Sequence, residues 1–328
     1  MGSILKSANP KKIFIVGVGR SGTSLLQSMF ASHPQVKFIP ETSFIRRYVL
    51  NGKLEYQFKS GRLDDVINIL RSDTLFARAN ICASNLVKNL NFKSGLLDLQ
   101  IYRAMSQIYS DKNQYWVGDK DPRLTEFLPI VKSLYSMAIV VNIIRDPRDI
   151  LVSKKQAAWS KGCHVWKHIF ANRVQLSLSR LNGPRLFGKN YHEIIYEELL
   201  SEPNKVLSKL CIEIGLPFTN KMLSFNDAAR KLVSDSEMSW KKETLGPLLK
   251  NNLGKWKSRL SYREIRLTEL CCCEAMVAGN YDLDNRKHPL KLTEWFWIFV
   301  GATIVKLFSY LFIAYRQLSV NRTCTNYN

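Results

Sequence analysis

The stretch Gly17-Val18-Gly19-Arg20-Ser21-Gly22-Thr23-Ser24 sets three glycines, three hydroxyls and a guanidinium side by side. It follows the apolar run of residues 12–18 (KIFIVGV), which reads as a buried strand, and opens a helix expected from about Gly22 to Ser32. A glycine turn between strand and helix gathers backbone N–H groups at a helix N-terminus, which suits an anion. Three anions fit. As GxGxxG the loop offers Gly17, Gly19 and Gly22, with Glu41 about twenty residues on, as a dinucleotide site requires. As GxxxxGK[ST] it offers Gly17, Gly22 and Ser24, but Thr23 stands where a lysine would reach the β- and γ-phosphates. As a 5′-phosphosulfate cradle it uses Arg20 and the hydroxyls of Ser21, Thr23 and Ser24.

A second segment bears on the choice. The apolar run Ala138 to Ile144 (AIVVNII) reads as a central parallel strand that delivers Arg145 to its C-terminal end. Pro147 then opens a helix, and Ser153 lies two turns into it. Arg145 and Ser153 can close on one phosphate. The structural alternative is an ion pair of Arg145 with Asp146 or Asp149.

The pairing of GxGRSGTSLL after the first strand with RDPRDxxxS after a central strand resembles the sulfotransferases that use 3′-phosphoadenosine-5′-phosphosulfate (PAPS). The resemblance spans about residues 12–260. It implies that Arg20, Ser21, Gly22, Thr23 and Ser24 bind the 5′-phosphosulfate, and that Arg145 and Ser153 bind the 3′-phosphate. Leu253-Gly254-Lys255-Trp256 is similar to a late cofactor-side motif, which implies Lys255 and Trp256 as further cofactor residues. His33-Pro34, Glu41-Thr42 and Lys120-Asp121-Pro122 are similar to the tyrosylprotein branch. That likeness implies Glu41 as catalytic base and Lys120 as a cation helping to hold the sulfonate; Arg20 is a further catalytic candidate. Gly254 departs from that branch, which has Ser there, and neither a signal anchor nor a secreted disulfide pattern is evident, so the acceptor stays open. The other readings are a P-loop NTP-dependent kinase, which Thr23 disfavours, and a non-catalytic nucleotide- or RNA-binding protein.

Strands alternating with helices predict an α/β fold, a P-loop-like parallel sheet flanked by helices. Further strands are expected at Val36–Pro40, Tyr115–Asp119 and Tyr191–Tyr196. Residues 43 to about 110 read as helical with a loop at Asn51–Lys59. Later helices are expected from Pro203 to Ile214 and from Tyr262 to Gly279. Trp159, Trp166, Tyr191 and the 43–110 segment are candidates for an acceptor pocket. His33 reads as a turn residue, and His164 and His168 lie one helical turn apart with no third ligand.

The 328 residues carry 48 Lys and Arg against 27 Asp and Glu, a net charge of +21, which points to an anionic partner. A hydrophobic content of 46% excludes a disordered chain. Seven cysteines without a CxxC pair read as reduced packing residues, hence a cytoplasmic location. No metal and no nucleic-acid partner is expected. Trp295 to Tyr315 is apolar but for Lys306 and has basic flanks, so it reads as a membrane-associated helix, spanning or lying in the interface. Pro289 divides the chain into a catalytic domain, 1–289, and a C-terminal membrane segment, 290–328.

Overall fold

A computed structural model describes residues 10–90, 96–110, 116–232, 252–286 and 291–325. Among these, five strands form one parallel sheet: β1 (Lys11–Gly17), β2 (Val36–Phe38), β3 (Trp116–Lys120), β4 (Ile139–Ile144) and β5 (Tyr191–Ile195). The spatial order is β2-β3-β1-β4-β5, with Ile13 of β1 opposite Gly118 of β3 and Ile139 of β4. Helices cover both faces. They include α1 (Thr23–Ala31), α2 (Leu97–Ile108), α3 (Leu128–Leu134), α4 (Pro147–Gln156), α5 (Val165–Phe187), α6 (Pro203–Ile214), α7 (Tyr262–Cys271) and α8 (Leu292–Thr325).

The two-residue alternation of a strand explains the double layer. Phe14 and Val16 of β1 enter one core with Tyr102 of α2 and Val131 of α3. Ile13 and Ile15 enter the other with Leu26 of α1 and Leu210 of α6. The connection after β1 leads toward one edge of the sheet and that after β4 toward the other. Their C-terminal ends therefore flank a topological switch point, where open α/β sheets bind ligands.

Several elements differ from the sequence expectation. The loop expected at Asn51–Lys59 is largely helix, Lys53–Ser60. Its first turn is held from outside, by Asp98 accepting from Leu54 N (3.0 Å) and Glu55 N (2.9 Å), a cap invisible in the local sequence. The single helix expected at Tyr262–Gly279 breaks at Cys272 into α7 and Cys273–Ala278. The 23-residue α5 was not anticipated. Its buried positions fall on every side, so it shows no single apolar face. The terminal helix runs beyond both ends of the Trp295–Tyr315 segment. Tyr115, Lys287 and the expected boundary Pro289 lie outside the described residues.

Candidate active site

The glycine loop leaves β1 with a backbone that few residues adopt. Gly17, Arg20 and Gly22 have φ of 154°, 78° and 104°. At Gly22 a Cβ would stand 2.4 Å from the Tyr196 ring, so the position requires glycine for its dihedral and for space. Arg20 has no such exemption, and a left-handed arginine is a strained residue of the kind that clusters at ligand sites. Ser21 N donates to Val18 O at 2.9 Å and closes the turn. Thr23 is buried in the first turn of α1, and Ser24 follows it half-buried.

The second motif meets this loop directly. Arg145, at the end of β4, donates to Arg20 O (3.2 Å) and Asn252 O (3.0 Å), and its guanidinium lies 4.3 Å from the centre of the Tyr196 ring. Arg20 Nε donates to Ser153 Oγ of α4 at 2.9 Å. The loop, Arg145 and Ser153 therefore form one cluster. The ion pair weighed as an alternative for Arg145 is absent, because both aspartates are engaged elsewhere. Asp146 pairs with Arg148 (2.8 Å), while Asp149 accepts from Gly254 N (2.7 Å) and Trp256 N (2.9 Å). Two buried polar atoms here, Ser21 Oγ and Arg145 Nε, have no hydrogen-bond partner among the described residues. Buried polar groups are ordinarily satisfied, so these two are exceptions at the junction of the two motifs.

Asp149 fastens the Leu253–Trp256 segment to α4. Trp256 is buried in the core against Arg148, whose guanidinium lies 3.8 Å from its ring centre, and half-buried Lys255 precedes it.

Glu41 and Lys120 come from neighbouring strand ends. Glu41 follows β2 and Lys120 closes β3, and their side chains form an ion pair. Lys120 is 1% exposed, whereas the Glu41 side chain keeps 23% of its surface. Arg78 donates to Glu41 O at 3.0 Å, so the segment is anchored from the helical region. Asp121 caps the turn after Lys120 by accepting from Arg123 N (3.0 Å).

His33 closes a turn. Its Nε2 donates to Pro217 O (2.7 Å) and its Nδ1 accepts from Gln35 N (3.1 Å); burial holds its pKa below the usual value. His168 bonds Ser160 Oγ at 2.6 Å. Tyr191 opens β5 at the opposite, N-terminal edge of the parallel sheet, and so does not belong to an acceptor pocket beside Glu41.

The sequence reading missed several residues around this cluster. Gln175 of α5 accepts from Gly19 N (3.4 Å) and donates to Glu126 (3.2 Å), which in turn pairs with Arg316 of α8 (3.2 Å). Asn252 holds Arg145, and Tyr196 fills the space beside Gly22. Lys154 is buried beside Arg20 and Arg123 with no carboxylate against it among the described residues. Burial, reinforced by these two cations, lowers its pKa to about 8, partly offset by Cys272. Adjacency to Ser153 and to the Gly254-Lys255-Trp256 motif was the available signal for Lys154 and Asn252. Nothing local marked Gln175.

Known proteins share this architecture. The sulfotransferase domain of the Synechococcus PCC 7002 olefin synthase superposes with a TM-score of 0.61 at 18% identity, covering 85% of this chain and 98% of that domain. The sulfotransferase domain of the curacin biosynthetic pathway gives 0.55 at 19% identity, covering 84% and 99%. These likenesses are of fold. In sequence, an uncharacterised protein of Aquifex aeolicus (strain VF5) is 20% identical over 273 residues, 77% of this chain and 31% of that protein. A Caenorhabditis elegans protein named protein-tyrosine sulfotransferase A is 23% identical over 258 residues, 74% of this chain and 60% of its own length. The chain thus matches less than two thirds of either relative. The model of the family described as "Sulfotransferase family" matches residues 10–220, which include the glycine loop, Glu41, Lys120, Arg145 and Ser153, and on that match the chain belongs to the sulfotransferase family.

Proposed function

We propose that this protein transfers a sulfuryl group from PAPS to a hydroxyl or amine of a lipid, glycolipid or other glycan, or hydrophobic alcohol. The observation that carries the reading is the joining of the two anion motifs, Arg145 to Arg20 O and Arg20 to Ser153, around the unpartnered Arg145 Nε and Ser21 Oγ. A nucleotide with phosphate at both the 3′ and 5′ positions fits a site with two adjoining anion cradles.

PAPS supplies an activated sulfuryl group on a phosphate leaving group. The N–H groups of the glycine loop, with Ser21, Thr23 and Ser24, hold the 5′ end. Arg145 and Ser153 hold the 3′-phosphate, and Arg20 spans the two. Lys255 lies at the cofactor side, and Trp256 supports it from the core. Lys120 steadies the non-bridging oxygens, and Glu41 takes the acceptor proton as the new bond to sulfur forms and the bond to the phosphate oxygen breaks. Fixed charges aimed at the changing centre are an effective source of rate, as in phosphoryl transfer. Residues up to 289 form the catalytic unit on this reading. The segment from 290 attaches it to a membrane through Trp295–Tyr315, with the catalytic unit in the cytoplasm, where the thiols stay reduced.

Calorimetry with 3′-phosphoadenosine-5′-phosphate (PAP), against ATP and NAD, tests the proposal. PAP should bind more tightly than either. Arg145→Ala should weaken it by about ten- to a hundredfold, since each charge-assisted bond is worth roughly 1.5–3 kcal/mol. Preference for ATP or NAD, or an Arg145→Ala variant that binds PAP as the wild type does, overturns it.

A further inference from the structure

The terminal helix, Leu292–Cys324, is long and apolar enough to cross a bilayer by length and composition, with a mean hydropathy of 1.9 in its apolar 18-residue stretch. Its contacts speak against crossing. α7 lies against its first half, α5 against its middle and α3 near its end. Ile298, Ala302, Val305, Ser309, Ile313 and Val320, spaced by about one or two turns, are all buried against the domain. Polar groups hold the same side. Arg173 of α5 donates to Ser309 Oγ (2.7 Å) and Cys271 O (2.8 Å), Arg316 pairs with Glu126 (3.2 Å), and Thr323 donates to Leu50 O (3.4 Å). Gly301 lets Trp166 lie on the helix, for a Cβ there would stand 1.9 Å from the Trp166 ring.

Docking therefore runs the full length of the helix, roughly 50 Å at about 1.5 Å per residue. A hydrocarbon core is about 30 Å thick. To cross it the helix would have to leave the domain, breaking the Arg173–Ser309 hydrogen bond and the Arg316–Glu126 ion pair. Kept docked, it can only lie flat.

The uncovered side is also apolar. Trp297, Ile304, Phe308, Leu311, Tyr315 and Leu318 recur at spacings of seven, four, three, four and three, each at least 49% exposed. Beside them a groove between α5 and α8, lined by Trp166, Phe170, Phe308 and Phe312, has Lys167 at its edge. Exposed Lys291 and Arg322 stand at the two ends of the helix. Aromatic and aliphatic side chains flanked by cations complement an anionic lipid surface. This arrangement explains why the segment reads as a spanning helix. An in-plane helix usually has one polar face for water, whereas here the side away from the lipid packs on the protein and is largely apolar too.

We infer that α8 is an in-plane membrane element, which stays docked on the catalytic domain and offers its Trp297–Leu318 face to the surface of an anionic bilayer. The inference rests on the membrane contact proposed above and gives it a geometry. Sulfuryl transfer then takes place at the lipid–water boundary on one side of the membrane.

The test uses the full chain, tagged at both ends. Purified protein is floated with phosphatidylcholine vesicles and with vesicles containing phosphatidylserine. Membranes from expressing cells are treated with alkaline carbonate and with external protease. Expected are flotation favouring the anionic vesicles and weakened by salt, release by carbonate, and both tags cleaved from the same side without detergent. Phe308→Glu with Leu311→Glu should cut flotation at least tenfold while melting temperature and PAP affinity hold. Flotation on neither vesicle, including the case of a dimer that covers this face, defeats membrane contact altogether. Carbonate resistance with one tag protected leaves membrane contact standing and overturns the in-plane geometry. Undiminished flotation of a folded double variant overturns the assigned face. If that variant does not fold, Trp297→Glu takes its place under the same criteria.

Discussion

Glu41 and Lys120 reach each other from adjacent strand ends, which places a proton acceptor and a cation at one point on the sheet edge. If Glu41 takes the acceptor proton, Glu41→Gln should lower transfer from radiolabelled PAPS to a total lipid extract by about 10²–10⁴-fold, leaving PAP affinity nearly unchanged. Equal loss of PAP binding would make Glu41 a structural partner of Lys120. Lys154 yields a different prediction. Burial, with Arg20 and Arg123 nearby, brings its pKa down to about 8, so the unliganded residue is charged below that pH and loses its proton above it. An anion bound beside Arg20 favours the charged form. PAP binding should therefore take up a proton above pH 8, and affinity should fall as pH rises through that value. Binding heats at pH 8.5 in two buffers of different ionisation enthalpy measure the uptake. Lys154→Met should abolish it, and buffer-independent heats for the wild type would refute the assignment.

At the scale of elements, α4 carries both Ser153 and the aspartate that fastens the 252–256 segment. Asp149 gathers Gly254 N and Trp256 N, and Asn252, just upstream, holds Arg145. Asp149→Ala should loosen that segment and weaken PAP by about tenfold, although Asp149 itself faces backbone rather than ligand. Unchanged PAP affinity in calorimetry would show that Arg145 is set by β4 alone. The elements legible in the sequence are those whose signals are local: an apolar run of β-branched residues for β1 and β4, Pro147 and Pro203 at helix starts, and the glycines of the first loop. The illegible ones take their stability from afar. Lys53–Ser60 is capped by Asp98, and α5 buries residues on every side against other elements. The site divides the same way, for Arg20, Arg145 and Ser153 stand in contiguous motifs, whereas Gln175 and Asn252 arrive only with tertiary structure.

For the whole molecule, the expected division into catalytic domain and membrane segment conceals how much the two share. Val305 joins the core of Ile169 and Cys271, and Ile313 that of Val174 and Leu178. Burial of an aliphatic side chain contributes about 1.5–3 kcal/mol. A chain ending before α8 should therefore melt at least about 10 °C lower, on a conversion of roughly 2–4 °C per kcal/mol. An unchanged melting temperature would make the helix a dispensable appendage. Composition shows the apolarity of this segment, and it is silent on which side faces protein because both sides are apolar.

The hydrogen bond from Arg20 to Ser153 ties positions 133 residues apart in the chain. Read as inheritance, it makes the two motifs a single unit of descent. A lineage that loses the hydroxyl at 153 removes one of the constraints holding an arginine in a left-handed backbone at 20. A recombination joint between residues 24 and 145 parts the partners while leaving each half locally well formed. Such offspring would keep their strands and helices and lose the Arg20–Ser153 bond, so the two motifs should travel together in descent.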